Sequence, residues 1–165
     1  GNGFPTVIII SGSGTQDRDG TMFGHKTYAV LADLLTKQGI AVLRVDDRGA
    51  GKSSLGPNPS KITSVDFAGD VNNSIQYLLS RSDVDKKKIG LIGHSEGGMI
   101  APMVAVNNKQ VAFIVLLAGP GQKGLEIWNF QMKRSFESVN LSASDKALAD
   151  SLIINMNAPF DLFSV

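Results

Sequence analysis

Four short apolar runs, separated by stretches of helical periodicity, limit what this chain can become more than any other feature. Val7-Ile8-Ile9-Ile10 sits in a strand predicted over Phe4 to Ile10, bounded by Pro5 and by Ser11-Gly12-Ser13-Gly14. Ile40 to Val45, Ile89 to Ile92 and Ala112 to Leu117 read as three further buried strands. Between the first two, Tyr28, Leu31, Leu34 and Leu35 recur at helical spacing from about His25 to Gln38, and Gly39 is a stop signal. Between the second and third, Thr63-x-x-Asp66 resembles a capping box, and Phe67, Val71, Ile75, Leu78 and Leu79 form one helical face behind it. A helix over Ser95 to Val106, with Pro102 inside it, separates the third and fourth. Strands that alternate with helices are parallel and joined by crossovers, so the expected class is α/β, a parallel sheet with helices on both faces.

The pattern changes after Gly119-Pro120-Gly121. Leu125, Trp128, Met132, Phe136 and Val139 mark one amphipathic helix, and Leu148, Leu152, Ile153 and Met156 mark another, which Ser142-x-x-Asp145 can cap. The expected organisation is a core over residues 1–121 and a helical segment over 122–165, ending in the apolar tail Pro159, Phe160, Leu162 and Phe163. Asp46 to Pro59 is polar and rich in Gly and Pro, hence a long loop. Lys86-Lys87-Lys88 reads as a solvated turn before the third strand.

Sixteen basic and fifteen acidic residues nearly cancel, so long-range electrostatics favours neither nucleic acid nor an anionic membrane. With no cysteine, thiolate chemistry, disulfides and cysteine-based metal sites are excluded, and no cofactor or metal is expected. No apolar run reaches membrane-spanning length. A cytoplasmic and an exported location both fit. Gly51-Lys52-Ser53 lacks the earlier glycine of a Walker A loop, where Asp46 stands, and Gly12-x-Gly14-x-x ends on Asp17, so neither phosphate-binding fingerprint is met. Asp46 and Arg48 are therefore expected to brace the loop.

The chemistry concentrates in Gly93-His94-Ser95-Glu96-Gly97-Gly98. In a chain with eighteen glycines a G-x-S-x-G match is weak by itself, but here a buried strand runs into it and a helix leaves it. That is the setting of a nucleophile elbow, with Ser95 as nucleophile. The helix amino terminus favours developing negative charge, and the Glu96 N–H can point at an oxyanion. A second donor is expected from the loop after the first strand, Ser13 N–H first and Gly14 N–H second.

Three stretches in order now resemble one family. They are the loop Ser11-Gly12-Ser13-Gly14-Thr15-Gln16-Asp17-Arg18-Asp19-Gly20, the D-x-R-G-x-G-x-S stretch from Asp46 to Ser53, and the elbow. Together, over about residues 4 to 120, they resemble the α/β-hydrolase fold and, within it, bacterial esterases related to acyl-peptide hydrolases and prolyl oligopeptidases. The resemblance implies an ester hydrolase that forms an acyl-enzyme on Ser95, with oxyanion donors Ser13 and Glu96 and a small-molecule ester as substrate. It also implies a helical cap after the strand ending near Leu117, which residues 122 to 163 fit, with Trp128, Met132 and Phe136 either lining an acyl pocket or packing on the body. Ser11 stands where many relatives carry histidine.

In that fold a serine is followed along the chain by Asp or Glu and then by His. The only histidines here are His25 and His94, both before Ser95. His94 is expected to pack or hydrogen-bond locally and His25 to cap or support the first helix. Glu126, Glu137, Asp145, Asp150 and Asp161 fall in the helical segment, and Glu96 in the elbow. The expectation is therefore a slice of a longer hydrolase, inactive on its own, whose apolar fourth strand is an open edge covered by a further segment or by a second copy. The alternatives are a non-catalytic binding scaffold, and a thioesterase, acyltransferase or peptidase using the same elbow.

Overall fold

The computed structural model describes residues 3–56 and 62–161, with side chains as far as residue 153. Two compact units divide the chain, Gly1–Gly119 and Pro120–Val165. The first is built on four parallel strands, β1 (Phe4–Ile10), β4 (Ala41–Arg44), β5 (Val84–His94) and β6 (Val111–Leu117), in the order β4-β1-β5-β6. The helices α1 (Thr27–Lys37), α2 (Ser64–Ser80) and α3 (Gly97–Asn107) connect them.

Side-chain alternation along β1 sorts the helices onto two faces. Val7 and Ile9 pack with Tyr28, Leu31 and Leu35 of α1, whereas Ile8 and Ile10 pack with Val71, Ile75 and Leu78 of α2 and with Ile100, Ala101 and Val104 of α3. The α1 stripe differs by one residue from the sequence expectation. Ala32 is buried and Leu34 is exposed, because the 28, 31, 32, 35 series, not 34, faces the sheet.

The α2 cap forms as its spacing predicts. The Asp66 carboxylate accepts the Thr63 N–H at 2.8 Å and the Thr63 hydroxyl at 2.9 Å. α3 runs unbroken through Pro102. The lysine run is not a turn ahead of the strand but part of β5. Pairing with β1 jumps from Phe4↔Val84 to Thr6↔Ile89, so the excess residues bulge and Lys86, Lys87 and Lys88 stay in solvent.

A ribbon unanticipated from the sequence, β2 (Thr21–Met22) with β3 (His25–Lys26), precedes α1. Its two-residue turn has φ of 50° at Phe23 and 80° at Gly24, the mirror-image turn that matches strand twist. Phe-Gly is not among the dipeptides that announce such turns. This ribbon shortens the first helix, which begins at Thr27 instead of about His25.

In the second unit α4 (Gly124–Glu137) packs with α5 (Ala143–Asp161). Ser142 Oγ donates to Asp145 at 2.6 Å and accepts the Asp145 N–H at 3.2 Å, capping α5. Trp128 is exposed, while Met132 and Phe136 are half-buried. The side chains of the apolar tail, Pro159 and Phe160 with Leu162 and Phe163, lie outside the described residues, as do residues 57–59 of the long loop.

Candidate active site

β5 delivers the chain to Ser95, whose φ of 52° is left-handed and costly for a residue with a Cβ. The surroundings hold it there. Ser95 N–H donates to Leu117 O at the end of β6 (3.0 Å), and Gly98 N–H donates to Ser95 O (2.8 Å). The flanking glycines are needed for space. A Cβ on Gly93 would strike the Gly97 carbonyl, and one on Gly97 would strike the Ile10 carbonyl and come within 2.7 Å of Ser11 O. The start of α3 thus lies directly on the end of β1.

The loop after β1 meets the serine from the other side. A Cβ on buried Gly12 would lie 3.1 Å from Ser95 Cβ. The Gly12 N–H is turned away, donating to Tyr28 Oη at 3.4 Å. Ser13 and Gly14 are exposed at the loop tip, Gly14 with φ of 86°. Among the described residues the amides of Ser13 and Glu96 donate to no protein acceptor. The Glu96 side chain is drawn toward α2, accepting the Ser64 hydroxyl at 2.7 Å. Its N–H therefore stays at the helix terminus, where the dipole favours negative charge.

Two adjacent aspartates hold the loop. Asp47 accepts the Ser11 hydroxyl at 2.6 Å on one oxygen and the Gln16 N–H at 2.9 Å on the other. Burial pushes its carboxyl above the ordinary carboxylate value, against the pull of those two donors. Asp46, buried, accepts the Arg18 N–H at 2.8 Å and the Arg18 guanidinium at 3.0 and 2.5 Å. The Arg18 contact holds the Asp46 carboxyl far below its usual range. Arg48 is bidentate to Asp70, at 2.6 and 2.8 Å. Both members of the D-x-R motif are thus occupied by protein partners.

Neither histidine is joined to the serine. His94 Nδ1 lies 3.1 Å from the Tyr28 hydroxyl, and His25 is exposed on the β2–β3 ribbon instead of capping α1, whose N-cap is Lys26. Of the later carboxylates, Glu96 binds Ser64, and Glu126, Glu137, Asp145, Asp150 and Asp161 lie on α4 and α5. A cavity of about 640 Å³ opens beside the loop, walled by Leu43, Val45, Phe67 and Tyr77 and reaching Gly12 and Glu96. No cluster of three metal-ligating side chains occurs among the described residues, and no described helix is long and apolar enough to cross a membrane. Sequence reasoning missed Tyr28, Asp47 and Ser64 as parts of this region. Their partners lie 12 to 66 residues away, and no local pattern announces such pairings.

A parallel sheet covered on both faces, with a serine on a strained strand-to-helix turn, defines an α/β hydrolase. The match extends to a particular family: residues 20–152 fit the serine aminopeptidase, S33, family, and the chain belongs to it. The esterase EstD of Thermotoga maritima is 30% identical over 131 residues, covering 79% of this chain and 30% of that protein. In fold, the chain is similar to the α/β hydrolase GrgF of Penicillium sp. sh18 (TM-score 0.59, 20% identity, 81% of this chain and 45% of that one). It is also similar to the esterase EaEST of Exiguobacterium antarcticum (TM-score 0.54, 20% identity, 83% and 51%). The chain therefore spans about a third of EstD and about half of each of these structures.

Proposed function

We propose that this chain supplies the nucleophile half of a carboxylic ester hydrolase. The observation that carries the reading is Ser95 held at φ 52° between β5 and α3 with Gly12 pressed against it. In the proposed reaction Ser95 Oγ bonds to the acyl carbon of a small-molecule ester while a base takes the hydroxyl proton. The carbonyl oxygen becomes an oxyanion between the N–H groups of Glu96 and Ser13. Collapse breaks the bond to the alkoxy oxygen, which leaves as alcohol with that proton, and water then releases the acid from Ser95. The acid and base of the triad come from outside these residues, because His94 is engaged with Tyr28 and His25 sits on the ribbon. Residues 122–165 serve as a cap.

The 30% identity with EstD favours an ester, and the family's aminopeptidase description favours a second reading, cleavage of an amino-terminal amide. The test is turnover of p-nitrophenyl esters beside aminoacyl p-nitroanilides by the full-length protein, with fluorophosphonate labelling of Ser95 mapped by peptide mass. Labelling lost in Ser95→Ala with faster ester turnover supports the proposal. Labelling elsewhere, or none, points to a binding scaffold and overturns it.

A further inference from the structure

The loop that carries Ser13 has one feature that the nucleophile does not explain: both of its ends are fixed by the same carboxylate. Ser11, at the exit of β1, donates its hydroxyl to one oxygen of Asp47. Gln16, five residues on, donates its N–H to the other oxygen and accepts the Asp47 N–H on its carbonyl at 3.0 Å. The backbone pair and the side chain together close a double clamp at Gln16. Between the two anchors the chain must arch, and the arch carries Gly12 against Ser95 and leaves the Ser13 amide without a protein acceptor among the described residues. Gln16 Nε2 ties the Ser13 carbonyl from below at 3.3 Å, which sets the peptide plane preceding Gly14.

Resting on the ester hydrolase reading, we infer that Asp47 is a positioning residue for the oxyanion site. It touches no reacting atom. It sets the height of the Ser11–Gln16 arch, and so the distance from the Ser13 N–H to an oxygen bound at Ser95. A carboxylate is needed because two donors converge on it. An amide in its place can accept from only one of them and presents N–H to the other. Asp47 lies outside the elbow and on another segment, three residues past the end of β4 at Arg44 in the order Val45, Asp46, Asp47, so the β1 loop is registered against the sheet itself.

The effect should appear in the transition state and not in ground-state binding, because the arch contributes an amide to the oxyanion and not a wall to the substrate. In the full-length protein, Asp47→Asn should lower kcat toward p-nitrophenyl acetate by about tenfold to a hundredfold, with KM within about twofold. Affinity for a trifluoromethyl ketone, whose adduct carries the oxyanion, should fall by the same factor as kcat/KM. The Gln16 amide should exchange faster with solvent while the Ser95 amide, held by Leu117 O, does not. Ser11→Ala, which removes one anchor only, should show a smaller loss of the same kind and serves if Asp47→Asn folds poorly.

An active wild type whose Asp47→Asn and Ser11→Ala variants keep their kcat overturns this inference alone. So does a variant that loses substrate and ketone binding alike, since that is general unfolding of the site. A wild type that neither hydrolyses esters nor takes fluorophosphonate overturns the ester hydrolase reading and this inference with it.

Discussion

Replacing Gly97 by alanine sets two effects of known size against each other. Gly97 opens α3, and alanine in a helix is favoured over glycine by at most about 1 kcal/mol. The added methyl group, however, would collide with the Ile10 carbonyl and sit 2.7 Å from Ser11 O. Both are backbone atoms at the end of β1, and neither can rotate away. Overpacking of this kind costs about 1–3 kcal/mol, and relieving it here means parting α3 from β1, which also moves Gly12 off Ser95. The contact effect wins, so Gly97→Ala should destabilise by about 1–2 kcal/mol net, a fall in melting temperature of roughly 2–4 °C per kcal/mol in a chain of this size. Gly69 is the control. It lies on the exposed face of α2, and a Cβ there meets nothing within 4 Å, so Gly69→Ala should raise stability by about 0.5–1 kcal/mol. Urea unfolding followed by circular dichroism measures both. Gly97→Ala at or above wild-type stability would refute the close approach of α3 and β1 on which the site geometry rests.

Ser95→Gly should abolish fluorophosphonate labelling yet raise stability by about 1–2 kcal/mol, because glycine occupies φ 52° without the Cβ cost; a stability loss in calorimetry would contradict the strain. Acid should unfold the core in a particular window. Asp46, through Arg18, and Asp19, through Lys26, have carboxyls held below the ordinary value of 3.8. Their contribution is present above that value and lost as pH falls through the lower native one. Asp46→Asn should therefore flatten the stability-against-pH slope below about pH 4 by up to one proton, read from urea midpoints. Asp47 acts in the opposite sense, since burial raises its carboxyl and its cost grows as pH rises through the native value. On β6, Phe113 through Leu117 are each at least 36% exposed on an edge unpaired among the described residues. Val115→Lys should therefore reduce concentration-dependent association of the 165-residue chain in sedimentation, and identical behaviour of variant and wild type would rule that edge out.

The α/β class, the four strands, the capped α2 and the elbow are legible in the residues alone, because each rests on short-range physics. Continuous β-branched runs bury on both faces, the 3.6-residue period sets one helical stripe, and glycines flanking a serine permit a strained turn. Even there, local rules had limits. The Phe23-Gly24 hairpin, whose dipeptide is not a usual turn signal, moved the start of α1, and the bulge at Lys86 to Lys88, which arises from pairing with the distant β1, moved the start of β5. How the β1 loop is held emerges only in the folded chain. Ser11 meets Asp47 across 36 residues and Tyr28 meets His94 across 66. A hydrogen bond between such residues has no period and no turn signature. Sheet order brings β4, β1 and β5 side by side, and only then do a carboxylate, a phenol and a glycine amide converge beside Ser95.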